Sequence, residues 1–141
     1  SSEVLLFYRL HSQQLSRDRK LEQLKSAEKV RLKMLNALSI NPSLEELELH
    51  NSIGNGQALK GIHSIVSAEK WLLKLIEGNT KMKYVSPLVF NSYLSKVYQD
   101  ICANASEGLQ AYIHYYKSPM ATYGRDTFFS RCQFFIKCMV R

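Results

Sequence analysis

The sequence predicts an all-α fold, an irregular bundle of five to seven helices with orthogonal or HEAT-like packing. Three observations carry this reading. Apolar residues recur at spacings of three, four and seven along most of the chain. The three prolines and six glycines fall between these periodic segments. No run of useful length alternates apolar and polar residues as a half-buried strand does.

The first periodic segment spans about Glu3 to Leu38, with Val4, Phe7, Tyr8, His11 and Leu15 followed by Leu21, Leu24, Val30, Met34, Leu35 and Leu38. The polar stretch Ser16 to Lys20 interrupts the stripe, so one long helix or two helices fit equally. Asn41-Pro42 ends it, because the residue before a proline is pushed out of the α region. Ser43 with Glu46 three residues on forms a capping box for a short helix carrying Leu44, Leu47 and Leu49. Asn51 to Gly56 reads as a loop.

From Gln57 to Glu77 the residues Leu59, Ile62, Ile65, Val66, Leu72, Leu73 and Ile76 predict an amphipathic helix, with a break allowed near Ser67 and Gly78 as its C-terminal stop. Ser86-Pro87 opens the next helix, with proline at the first helical position. Its expected buried face is Val89, Tyr93, Leu94, Val97, Tyr98 and Ile101. Ser106 to Lys117 follows, with Leu109, Tyr112, Ile113 and Tyr116 on the core side and Tyr115 pointing elsewhere. Asp126 is the expected cap of the last helix, where Phe128, Phe129, Cys132, Phe135, Ile136 and Met139 form the apolar stripe. No internal repeat is evident, and residues 1–141 read as one helical domain.

A chain of 141 residues with 45% hydrophobic and 22% charged residues is of ordinary globular composition. No apolar run approaches the roughly 20 residues that cross a bilayer, so no membrane partner is expected. Cys102, Cys132 and Cys138 are too few and odd in number for a disulfide framework, which points to a reducing compartment, nuclear before cytoplasmic. Ser1 in place of Met, and an end at Arg141 inside an apolar helical pattern, suggest a segment excised from a larger protein.

No constellation of catalytic residues stands out. His11, His50, His63 and His114 have no partner at metal-ligand spacing. Gly54-Asn55-Gly56 lacks the preceding strand and the Gly-Lys-Ser/Thr run of a phosphate loop. The expectation is therefore no catalytic residue, no metal and no cofactor. An enzyme ranks third, to be revived by a deep pocket that sets His63 or His114 beside a carboxylate.

Two features rise above background. The first is charge: 19 basic against 12 acidic residues, a formal +7, favours acidic partners or nucleic acid. Arg17, Arg19 and Lys20 in the first helix, with Lys81 and Lys83 beside Tyr84, form the candidate basic patch, although acids interleave the bases of the first helix. The second is tyrosine, four of the eight lying between Tyr112 and Tyr123. Phe7, Tyr8, Tyr115, Tyr123 and Arg125 are the candidate partner-binding residues, since tyrosine and arginine anchor interfaces more often than most residues. The cluster Val4 to Leu10 is apolar on nearly every side and calls for cover by a partner, the last helix, or a second copy in a homodimer through the first helix. The leading expectation is a protein-interaction or scaffolding module that presents a groove to a peptide or partner helix. The alternative is a nucleic-acid-binding domain using a basic face.

Overall fold

The computed structural model describes residues 13–124 and 126–140, with side chains for 19–124, 126–127 and 129–140. Among the described residues there are six α-helices and no strand: α1 Gln13–Ala37, α2 Leu44–Gly54, α3 Ile62–Met82, α4 Pro87–Asn104, α5 Leu109–Lys117 and α6 Phe128–Met139. A 3-10 helix, Pro119–Tyr123, joins α5 to α6. The expected all-α bundle of five to seven helices is what forms. No helix of the described residues is long and apolar enough to cross a membrane.

The chain divides into two compact units, Ser1–Lys33 and Met34–Arg141. In the first unit the helix runs unbroken from Gln13, so the polar stretch to Lys20 does not divide it. Of its described apolar side chains, Leu21, Leu24 and Val30 are exposed and Ala27 and Leu32 are half-buried. Phe7 and Tyr8, with the rest of the Val4 to Leu10 cluster, lie outside the described residues.

In the second unit α4 is the central helix, packed against α3, α5, α6 and the 3-10 helix. It buries Leu94, Ser95, Tyr98, Gln99, Cys102 and Ala103. Val89 and Tyr93, expected on the buried face, are exposed. The buried face is rotated because α4 has neighbours on several sides, and the small or hydrogen-bonding side chains Ser95, Gln99 and Cys102 let them approach closely. The start of α4 at Pro87 is as expected, although Ser86 makes no side-chain cap bond.

The Ser43–Glu46 capping box forms with both bonds present. α2 then continues to Gly54, through much of the stretch expected as loop, and Leu44 is left exposed. Gly61, with φ at 85°, delays the start of α3 to Ile62, and no break occurs at Ser67.

Gly78 is not a helix stop. It lies inside α3, where an added Cβ would sit 2.8 Å from Ile40 Cδ1 and 3.0 Å from the Leu38 carbonyl oxygen. The absent side chain lets the buried Leu38 and Ile40 lie on α3. The helix ends instead at Lys83, left-handed with φ at 53°. The buried Asn79 fixes the turn that follows, accepting from Val85 N and donating to Val85 O, both at 2.9 Å. Gly78→Ala is therefore expected to lower stability by about 1 kcal/mol, with overpacking outweighing the gain in helix propensity. Thermal melts check this, and a stabilised variant would contradict the close approach.

Candidate docking surface

α5 and α6 form a hairpin on α4. An added Cβ at Gly108, just before α5, would meet the Cys138 carbonyl oxygen at 3.3 Å, which places the start of α5 against the end of α6. Between the two helices Tyr112 packs on Phe134 and Phe135, with ring centroids 5.3 and 5.2 Å apart. Phe134 also meets Tyr115 at 5.1 Å and Tyr116 at 6.1 Å. Thr127 caps α6 by accepting from Ser130 N, the role expected of Asp126. Asp126 instead accepts from Gln99, Tyr116 and Ser130 at 3.2 to 3.3 Å, tying α4 and α5 to the entrance of α6.

Tyr115 corrects the expectation that it faces a partner. It is 1% exposed, next to Tyr98, with the hydroxyl 3.3 Å from the buried Ser95 Oγ. Small Ala111, one turn earlier, is fully buried and lets α5 sit close, and the serine satisfies the phenol. The phase of α5 is turned accordingly: Leu109 and Ile113 are exposed, while Tyr112 and Tyr116 are half-buried against α6.

The inner face of α6 is Phe134 and Cys138, 4% and 1% exposed. At about 100° per residue, Phe129, Cys132, Ile136, Met139 and Val140 all fall on the opposite side. Phe129 is 69% exposed and Ile136 57%, and Met139 and Val140 are exposed as well. The strongest apolar stripe of the last helix thus faces away from the core it was expected to build. A continuous apolar stripe of this kind is normally covered, so this outer face is unusual for a free surface. Toward α4 it adjoins a groove of about 420 Å³ lined by Asp100, Ala103, Asn104, Ile136, Lys137 and Val140. Toward α5, Phe135 continues it through Tyr112 to Leu109 and Ile113.

Tyr123 is partly exposed on the 3-10 helix, and Arg125 lies outside the described residues. Lys81 and Lys83 are exposed at the end of α3, but Glu77 pairs with Lys81 at 2.6 Å. Arg19 and Lys20 are exposed in the first unit, and the side chain of Arg17 is outside the described set.

His114 does sit beside a carboxylate. Its Nδ1 and the Tyr98 hydroxyl share a hydrogen bond of 2.9 Å, and Glu69 Oε2 is 3.8 Å from Nε2. Tyr98 is fully buried, and burial, followed by the proximity of Cys102 and Glu69, holds its phenol protonated far above the ordinary range. A substrate has no access to that hydroxyl in this conformation.

His63 lines a separate cleft of about 510 Å³ between α2 and α3, together with Glu45, Glu46, Trp71, Lys70 and Lys74. There Trp71 Nε1 donates to His50 Nδ1 at 3.1 Å, and Lys74 bonds both Glu46 oxygens at 2.7 and 2.8 Å. Lys74, then the Ser43 amide, holds the Glu46 carboxyl below its ordinary 4.5. A lowered folded pKa contributes stability that is complete above the unfolded value and is lost as pH falls through the folded one. Acid titration of stability should accordingly decline below about pH 4.5 in the wild type and less steeply in Glu46→Gln, as followed by urea melts across pH.

The chain matches no protein-family model, no curated protein and no solved structure.

Proposed function

We propose that this chain is a protein-interaction module that takes a partner helix on the outer face of α6. The observation that carries the reading is the division of labour on that helix. Phe134 and Cys138 anchor it to α4 and α5, which leaves Phe129, Ile136, Met139 and Val140 uncovered by the described residues. Helix recognition uses apolar anchors at positions i, i+3 or i+4, and i+7, and Phe129, Cys132 and Ile136 repeat at that spacing. The role is non-catalytic and suits a reducing compartment, nuclear before cytoplasmic, given three free cysteines and a formal charge of +7.

The test is selection of binders from a displayed library of helical peptides on the immobilised chain, followed by affinity measurement on Ile136→Asp and Phe129→Asp. Both positions are exposed, so the melting temperature should hold while affinity for the selected helices falls at least tenfold. Binders indifferent to both substitutions would refute the assignment.

Nucleic acid is the second reading, favoured by exposed Lys83 beside exposed Tyr84. A labelled single-stranded oligonucleotide should then bind at low salt and release steeply as salt rises. Absence of binding at 50 mM salt removes this reading.

A further inference from the structure

The charged side chains of α6 itself, Arg131 and Lys137, have one sign. From Leu109 to Arg141 the sequence holds five basic residues, Lys117, Arg125, Arg131, Lys137 and Arg141, of which Arg125 and Arg141 lie outside the described residues, against one acid, Asp126. That acid is already engaged by Gln99, Tyr116 and Ser130. Arg131 and Lys137 are exposed: Lys137 lies about 100° from Ile136 around the helix axis, at one edge of the apolar strip, and Arg131 lies about 140° to the other side, beyond Phe135 and over the Tyr116 ring of α5. Asp100, the acid in the adjoining groove, is paired with Lys96 at 3.1 Å.

On this basis, and resting on the docking reading above, we infer that the partner is an acidic amphipathic helix. Its apolar stripe lies on Phe129 and Ile136, and its flanking Asp or Glu side chains meet Arg131 and Lys137. Opposite charge at a rim steers encounter and fixes orientation, whereas like charge there is costly. A second copy of this chain fits worse, because a twofold contact sets the same patch against itself and brings the two basic rims together. An anionic membrane also fits worse, because the groove between α4 and α6 is concave.

The experiment uses the whole chain and the displayed helical library. Enriched peptides should carry apolar residues at helical spacing flanked by an excess of Asp and Glu. Their affinity should fall at least tenfold on the double change Arg131→Glu, Lys137→Glu, and should weaken several-fold from 50 to 200 mM salt. Because Arg131 lies 5.7 Å over the Tyr116 ring, Lys137→Glu alone is the second variant, expected to lose a smaller share of affinity without any change in melting temperature. Replacing the acids of a selected peptide by lysine should abolish wild-type binding and restore binding to the double variant.

Peptides that depend on Ile136 but show no acidic excess and no response to charge reversal overturn the acidic partner and leave the docking face standing. Recovery of no Ile136-dependent peptide overturns the docking face itself. Binding to phosphatidylserine vesicles that is lost in Ile136→Asp assigns the face to membrane and overturns the proposal. A dimer by light scattering that dissociates in Ile136→Asp does the same in favour of a second copy.

Discussion

Phe134→Ala should destabilise the fold by about 3–5 kcal/mol, whereas Phe129→Ala should change stability by less than about 0.5 kcal/mol. The two residues stand five apart on α6, about 140° around the helix from one another. Phe134 is enclosed by three tyrosine rings, those of Tyr112, Tyr115 and Tyr116, so truncation removes both apolar burial and aromatic contacts and leaves a cavity between α5 and α6. Phe129 projects into solvent and has little to lose on truncation. Urea or thermal unfolding of the two variants reads the orientation of α6 directly. A helix with its stripe turned inward would reverse the order.

Asn79→Ala carries the second large effect, a loss of about 2–4 kcal/mol, with amide exchange at Val85 accelerating beyond what the global loss accounts for. The side chain of Asn79 is 0% exposed and serves both the N–H and the C=O of Val85. Alanine strands two backbone groups and leaves a void. Asn79→Asp keeps the acceptor for Val85 N but cannot donate to Val85 O when ionised, and buries a charge. It should be no better than alanine at neutral pH. The effect is local in origin, because this pair of bonds fixes the path from left-handed Lys83 into Pro87.

Local signals were legible in the sequence. Ser43 with Glu46, and Pro87 at the start of α4, act within one turn of the chain, and both start their helices as read. Gly78 was legible as special but not in its role. A glycine that ends a helix and one that admits a crossing segment look alike until Ile40 is known to pass 2.8 Å from its missing Cβ.

Which face of each helix is buried was the less legible part. In α4 and α5 burial follows Ser95, Gln99, Ala111 and Tyr115, residues whose polar groups or small size carry no apolar periodicity but meet partners in the fold. In α6 both faces are apolar, and periodicity favours the longer stripe. The shorter pair, Phe134 and Cys138, is the one that packing selects. The candidate site escaped detection for the same reason: which apolar residues of α6 are surplus to the core is decided by the packing of α4 and α5 against Phe134 and Cys138. Tyrosine content pointed to Tyr115, which serves the core.

The most direct test of the docking face is alkylation of Cys132 in the free chain and in the chain saturated with a selected helix. Cys132 is half-buried beside Phe129 and Ile136. The two buried thiols are internal references: burial pushes Cys102 up to about 12 and also raises Cys138. If the outer face of α6 is the binding surface, a maleimide labels Cys132 first in the free chain, and the bound helix slows that labelling at least tenfold while Cys102 and Cys138 stay slow in both. Cys132 labelled as fast in the complex as in the free chain would contradict it.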